Sequence, residues 1–211
     1  VINQDKLQEQ VEISSGELIN VYYWDLKKWD ALDRSRSKRL PIEIDFNTDS
    51  YSNINIDYVK KKINTNLSQY LAVFPAELIF KLYDRHGVRL LENNVRVFLS
   101  ANRKANLEMR KTIRGNDNIL FFSFNNGLSA TAEKIEFDGE ERISKIKDFQ
   151  IVNGGQTTAT IHYCKKRDKR DDGSNVSLDN VFVPVKITEI KKDEGYKDVV
   201  SNISKAANTQ S

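Results

Sequence analysis

The stretch FQIVNGGQTTATIH (149–162) constrains the fold most strongly, because it predicts a strand, a glycine turn and a helix in immediate succession. Phe149, Ile151 and Val152 are apolar residues suited to a buried strand. The paired glycines of the turn permit positive φ and the close approach of another group. The predicted helix opens on residues 156–158 (QTT), where a threonine can cap the first turn.

A helix N-terminus behind a glycine turn presents unbonded backbone N–H groups and the positive end of the helix dipole. The stretch therefore predicts a binding site for an anion such as a phosphate. A purely structural turn remains the alternative, since many strand-to-helix turns carry glycine and bind nothing. The stretch has neither the Lys-Ser/Thr of a P-loop nor the G-x-G-x-x-G spacing of a dinucleotide fold.

A second Asn/Gly turn, Asn125-Asn126-Gly127, follows the apolar run 118–124, which predicts a buried strand. Asn-Gly is a hairpin signal, so residues 128–137 are the predicted return strand, and 143–152 the next strand. If both turns lie at one edge of the sheet, their carboxamides converge on one pocket. The candidate binding residues from the two turns are Asn125, Asn126, Gly127, Asn153, Gly154, Gly155, Gln156, Thr157 and Thr158.

Positive charge is concentrated in residues 81–115, which hold nine basic and three acidic residues, whereas the whole chain has a net charge of only +3. A local basic face suits phosphate or nucleic acid. Solvated helices carry similar charge without a ligand, so that alternative stays open. The arginines predicted to bind nucleic acid or phosphate are Arg85, Arg89, Arg96, Arg110 and Arg114.

The remaining pattern predicts an α/β (α+β) fold, with a mixed β-sheet of five or more strands and helices packed on it. Strands alternate with helices from residue 69 onward, and 118–152 indicates a meander. Pro184 inside the last strand favours an edge or a bulge. The further predicted elements are strands at 17–24, 41–46, 70–74 and 181–190, and helices at 25–36, 76–86, 88–101, 103–114 and 194–207.

The loop at residues 48–55 is the predicted subdomain boundary, which gives an N-terminal segment, 1–50, and an α/β module, 51–211. Just before it, Glu43 and Asp45 share the outer face of a strand. They are interpreted as solvated carboxylates, and we expect no metal site, because the chain has only two histidines and one cysteine. The sequence shows no signal peptide and no membrane-length apolar run, so a cytoplasmic protein without a membrane partner is expected.

Four blocks of the chain together resemble the AIPR family, the abortive infection phage resistance proteins of bacteria. The resemblance is specific over about 70–211. The NGGQTTATI turn also resembles, more faintly, the DGQQR turn of ParB-related nucleotide-binding domains, although Thr157 stands where those domains have arginine. The blocks are LYDRHGVRLLENNVRVFLS (82–100), MRKTIR with FFSFNNGLSATA (109–132), DFQIVNGGQTTATIH (148–162) and ISKAANTQS (203–211).

The AIPR resemblance implies a bacterial, cytoplasmic protein of anti-phage defence. Larger members often carry a nuclease-like region ahead of this module, and residues 1–50 would then be its tail, in a fragment of a longer chain. Combined with the turns and arginines, the expected function is binding of nucleic acid or nucleotide phosphate. Other domains, defence partners and a homo-oligomer are open as further partners.

Two alternatives remain at this stage. One is a nuclease or NTPase, for which Asp84, Glu92 and Asp148 are scattered carboxylates near the same blocks, with Mg²⁺ as the cofactor of such an enzyme. The sequence lacks an Asp…Glu-x-Lys signature, so no catalytic residue is assigned and the cofactor is unknown. The other is a structural or protein-interaction platform, in which the arginines pair with carboxylates.

Overall fold

The computed structural model describes residues 8–12, 18–22, 41–52, 54–91, 104–139, 141–191 and 196–209. The chain divides into two compact units, 1–40 and 41–211. In the first unit, β1 (Gln8–Glu12) pairs antiparallel with β2 (Leu18–Tyr22). Strand β2 lies within the predicted strand 17–24. The predicted helix at 25–36 lies outside the described residues.

In the second unit, runs of consecutive strands are separated by helices along the chain. A 3₁₀ helix, Gly87–Leu91, follows its first α-helix, and a shorter one, Asn118–Leu120, precedes its third. The strands are β3 (Ile44–Asp45), β4 (Asp57–Lys62), β5 (Leu67–Pro75), β6 (Leu128–Ala132), β7 (Lys134–Asp138), β8 (Arg142–Lys147), β9 (Gln150–Asn153) and β10 (Phe182–Ile190). The α-helices are α1 (Ala76–His86), α2 (Lys104–Arg114), α3 (Phe121–Phe124), α4 (Gly155–Arg167) and α5 (Tyr196–Thr209).

The main sheet has five strands in the order β4-β5-β10-β6-β9. The β10–β6 pair is parallel and the other pairs are antiparallel, so the sheet is mixed. A second sheet has the order β3-β8-β7. With helices following β5 and β9, this arrangement confirms the predicted α+β fold with a mixed five-stranded sheet.

An aromatic cluster and one carboxylate join the two sheets. The ring of Tyr70 on β5 stacks on Phe137 of β7, with centroids 6.4 Å apart. The Tyr70 hydroxyl donates to Glu189 Oε2 at 3.0 Å, and the Ile135 N–H donates to Glu189 Oε1 at 2.9 Å. Glu189 of β10 thus satisfies one donor from each sheet, which removes much of the cost of placing a carboxylate near the core.

The predicted buried strand at 118–124 is wrong. Residues 118–120 form a 3₁₀ helix and 121–124 form the single turn α3. Only Phe121 of the three phenylalanines points into the core, with 1% of its surface exposed. An apolar run of this length does not distinguish a strand from a helical segment, and here the helical geometry turns the neighbouring side chains outward.

The predicted return strand 128–137 and the strand 143–152 are each divided in two. Glu133 separates β6 from β7, which belong to different sheets. Asp148 separates β8 from β9 and has a φ of 52°, a left-handed conformation that interrupts a strand. The NNG turn therefore does not close a hairpin; it connects α3 to β6.

Pro184 lies in a central strand, contrary to the expected edge or bulge position. On one side β10 pairs with β5, where Pro184 faces Val73. On the other side the parallel pairing with β6 begins only at Val185 opposite Leu128. The proline therefore sits beyond the end of that ladder, where its missing N–H costs little.

The helices were predicted more accurately. Helix α1 spans the predicted 76–86 and ends at Gly87, which has a φ of 56°. Helices α2 and α5 differ from the predicted bounds by one or two residues. The predicted helix at 88–101 begins instead as a 3₁₀ helix, and its residues from 92 onward lie outside the described part of the chain.

Candidate phosphate-binding site

The two Asn/Gly turns meet at one end of the main sheet. Strands β6 and β9 are neighbours, and Ser129 faces Asn153 where the NNG turn enters β6 and β9 leaves for the NGG turn. A side chain on Gly154 would lie 2.9 Å from the Gly127 carbonyl oxygen, so the two turns are in direct contact. The sequence predicted such a meeting only if both turns lay at one edge of the sheet, and the strand order, with β6 beside β9, produces it.

The N-terminus of α4 lies at this junction. Gly154 is the N-cap residue, with a φ of 95°, and no side chain caps the helix. The first intrahelical bond is from the Thr158 N–H to the Gly154 oxygen, at 3.0 Å. The N–H groups of residues 155–157 therefore precede the helical ladder, the arrangement that attracts anions.

Neither threonine serves as the expected cap. The Thr158 hydroxyl donates back to the Gly154 carbonyl oxygen at 3.2 Å. The Thr157 hydroxyl instead lies 3.3 Å from the Asn125 amide nitrogen. Asn153 Oδ1 accepts from the Gly154 N–H at 2.6 Å, so it bonds the turn rather than the helix. The polar side chains at this junction therefore bond the turns and the Gly154 carbonyl oxygen, and none of them caps the first turn of α4.

Asn125 holds the first turn against the helix. Its Oδ1 accepts from the Gly127 N–H at 2.8 Å, and its Nδ2 lies 3.1 Å from Met109 Sδ on α2. Together with the Thr157 contact, these bonds fix its carboxamide among three elements. Asn126, next in the chain, is exposed. Asn125 therefore positions the junction, and Asn126 is its solvent-facing polar side chain.

The glycines are required by packing as well as by φ. A Cβ on Gly154 would lie 2.3 Å from Leu128 Cδ2, and one on Gly127 would lie 2.1 Å from the Pro184 carbonyl oxygen. Both glycines also have positive φ. Contacts within the fold thus explain both residues without a ligand: Gly154 lies against Leu128 and the NNG turn, and Gly127 lies against Pro184 of β10. This is the structural interpretation left open by the sequence.

Arg110 is directed away from the junction. Its guanidinium forms two bonds to the Asp168 carboxylate, at 2.9 Å and 2.6 Å, and lies 4.6 Å from the centre of the Tyr163 ring. Asp168 follows the last residue of α4, about 20 Å along the helix from Gly154 at 1.5 Å per residue. The hydrogen bond to Asp168 raises the pKa of Arg110 above its ordinary value.

Arg114, one turn further along α2, lies near the same end of α4. Its positive charge acts on the thiol of Cys164, whose pKa burial nevertheless raises to about 12. The Arg114 Nε is buried and, within the described residues, has no hydrogen-bond partner. The structure therefore groups Arg110 and Arg114 with the C-terminal half of α4 and not with the glycine turns.

Arg85 and Arg89 lie on either side of His86. Burial, followed by the positive charges of Arg85 and Arg89, lowers the pKa of His86. The 3₁₀ helix that carries Arg89 packs against β9, the strand leading to the NGG turn. Arg89 therefore lies on an element that contacts the strand leading to the junction. Arg96 lies outside the described residues.

The carboxylates singled out for an enzyme have other surroundings. Asp84 Oδ1 lies 3.1 Å from His162 Nε2 and 3.0 Å from Lys166 Nζ, which joins α1 to α4. The hydrogen bond to His162, followed by that to Lys166, lowers the pKa of Asp84. Asp148 is buried at the bend between β8 and β9. Glu92 lies outside the described part of the chain.

The paired carboxylates of β3 have a lysine partner. Lys145 Nζ lies 3.1 Å from Asp45 and 4.0 Å from Glu43, so the pair forms a salt-bridged strand face. Elsewhere in the described ranges, no three His, Cys, Asp or Glu side chains group to hold a metal ion. None of the helices described has the length and apolar character needed to span a lipid bilayer.

Asp168 is the residue that sequence reasoning missed. It lies in the charge-dense run KKRDKRDDGS, where no pattern distinguishes it from its neighbours. The structure separates it by burial, since its side chain is 6% exposed and fixed by Arg110. A basic helix with an unexplained arginine would have suggested that some carboxylate is its partner, but not which one.

Comparison with known proteins gives one match. The family model described as AIPR protein matches residues 91–211, which include the NNG turn, the NGG turn and helices α2 to α5. No curated protein and no solved structure matches the chain. Because the matched range covers more than half of the sequence and contains the whole turn junction, this protein belongs to the AIPR family, with a role in phage defence by abortive infection.

Proposed function

We propose that this AIPR module binds nucleic acid or nucleotide phosphate at the junction of its two Asn/Gly turns. The observation that carries the proposal is the meeting of these turns at the uncapped N-terminus of α4. Backbone N–H groups and the helix dipole favour negative charge there. A phosphate in this position would accept from the N–H groups of residues 155–157.

The side chains support the backbone in three ways. The contact between Asn125 and Thr157 fixes the position of the NNG turn relative to the first turn of α4. Asn126 and Gln156 offer carboxamide donors on the accessible side. Arg85 in the last turn of α1 and Arg89 in the 3₁₀ helix beside β9 supply positive charge, which draws a polyanion toward the junction. We place this binding in the cytoplasm, where phage nucleic acid would be met.

A structural platform is the second candidate, and two observations favour it. Gly154 is explained by its contact with Leu128 and the NNG turn, and Gly127 by its contact with Pro184 of β10. Arg110 is paired with Asp168. In this version the junction only holds α4 on the sheet, and the module presents a surface to a partner domain. The two candidates predict different effects of added negative charge at the junction. It weakens nucleic-acid binding if the junction binds phosphate, and it changes only stability if the junction is structural.

The test is fluorescence anisotropy with labelled single-stranded DNA, duplex DNA, RNA and a nucleotide, at low and high salt. The proposal predicts binding that weakens with salt, because phosphate contacts release counterions. Asn126→Asp, which adds one negative charge at an exposed position, is expected to weaken binding about tenfold.

The matched control is Asn64→Asp, the same charge change in an exposed turn between β4 and β5. Strand β4 forms the opposite edge of the sheet from β9, so this variant should bind as the wild type does. Equal binding by both variants and the wild type, or no binding of any probe at low salt, would reject the proposed function.

A further inference from the structure

The segment before the NNG turn exposes four large apolar side chains within six residues. Phe122 and Phe124 are 40% and 70% exposed, and Ile119 and Leu120 of the preceding 3₁₀ helix are also exposed. A contiguous apolar surface of this kind marks an interaction site more often than scattered single residues do. Phe121, in the same turn, supplies the core contact, so burial does not require the other rings.

The position of Phe124 is fixed relative to the turn junction. It is the residue immediately before Asn125, whose side chain is bonded to Gly127, Thr157 and Met109. Adjacent Cα atoms are about 3.8 Å apart, so Phe124 begins one residue from Asn125 at the turn junction. In a nucleotide, one sugar likewise separates the base from its phosphate, so the two spacings are similar.

The charge of the neighbouring helix α2 favours an anionic partner. Helix α2, against which α3 packs, carries Arg110, Lys111 and Arg114 and one acidic residue, Glu108. Arg110 is neutralised by Asp168, which leaves a basic excess on the helix. Exposed aromatic rings on an element that packs against a basic helix suit unpaired bases and their phosphates.

We infer that Phe122 and Phe124 form a stacking surface for unpaired bases, so that the ligand of this site is single-stranded nucleic acid. The inference rests on the proposed phosphate site at the turn junction and names its substrate class. Duplex DNA cannot use the surface, because its bases are already stacked within the helix. The aromatic rings are sequence-tolerant, since every base has a π-face.

The experiment compares three probes: a short oligothymidylate, a strand of the same length without bases, and a duplex. For the wild type we expect the oligothymidylate to bind most tightly. Phe124→Ala should weaken that binding by about 5- to 150-fold, the loss of one stacked base. The same variant should leave binding of the baseless strand unchanged, and Phe124→Trp should restore binding of the oligothymidylate.

Ile119→Ala is the matched control, because Ile119 is 61% exposed in the same segment but has no aromatic face. Equal effects of Ile119→Ala and Phe124→Ala, or Phe124→Ala changing the oligomeric mass but not the binding, would overturn the inference in favour of a surface between protein copies. Equal binding of the baseless and base-bearing strands would also overturn it while leaving the phosphate site intact. No binding of any probe would instead reject the proposed function itself.

Discussion

At the residue scale, the position of Gly154 excludes a side chain for two reasons, its backbone conformation and its close neighbours. It has a φ of 95°, and a Cβ there would lie 2.3 Å from Leu128 Cδ2. Gly154→Ala should therefore lower the free energy of unfolding by about 2–4 kcal/mol, the strain of positive φ plus the steric overlap. Chemical denaturation measures this loss.

Gly139→Ala separates the two contributions to that loss. Gly139 also has positive φ, 68°, but a Cβ there meets nothing within 4 Å. This variant should lose only about 1 kcal/mol, the conformational part alone. If both variants lost the same amount, the contact between the turns would not contribute to stability.

The second prediction at this scale concerns the coupling energy between Arg110 and Asp168. Its two bonds are short and the carboxylate is nearly buried, with a 6% exposed side chain. A double-mutant cycle of Arg110→Ala and Asp168→Ala should give a coupling energy of about 1–3 kcal/mol. A coupling near zero would show that Arg110 is available for other partners, phosphate included.

At the element scale, the segment 118–124 is helical, and its burial is one-sided. Phe121→Ala should destabilise the protein by about 3–5 kcal/mol, because a fully buried ring leaves a cavity. Phe122→Ala, at 40% exposure, should cost about 1 kcal/mol or less. A strand buried on both faces would instead make adjacent positions equally sensitive, so comparable losses at Phe121 and Phe122 would contradict the helical assignment.

The β7–β8 hairpin makes a pH prediction. Lys134 Nζ and Lys147 Nζ each lie 2.9 Å from Glu136 Oε1, and hydrogen bonds from Lys134 and then Lys147 lower the pKa of Glu136 to about 2. A lowered folded-state pKa means that the stabilisation is present above about 4.5 and is lost as pH falls toward 2.

Glu136→Gln removes this ionisation, so its unfolding free energy should depend less steeply on pH between about 4.5 and 2. Denaturant titrations at several acid pH values measure the slope. Wild type and variant with identical slopes over that window would show that Glu136 titrates alike in folded and unfolded chains.

The elements that sequence could predict are those with strong local signals. Helix α1 has Pro75 before it and Gly87 after it, so its first and last residues could be predicted from the sequence. The run 118–124 and the bend at Asp148 were not, because apolar composition fixes neither helix nor strand and a positive φ at aspartate has no sequence signature. Pro184 was misplaced because the start of the parallel ladder depends on tertiary pairing.

At the scale of the whole molecule, the sheet order determines the site. The two turns are 25 or more residues apart in sequence, and they meet because β6 and β9 are neighbours. The sequence could predict each turn and a conditional pocket between them. It could not predict that α2 presents Arg110 and Arg114 to the far end of α4, since that depends on how the two helices pack.

The central claim is that the junction of the turns accepts phosphate through backbone N–H groups. Its most direct test is an NMR titration of the backbone amides with a short oligothymidylate at low salt. Phosphate binding at the junction should give the largest shift changes at the amides of residues 155–157 and in the NNG turn. Shift changes confined to the exposed lysines of β4, with the junction amides unmoved, would contradict it.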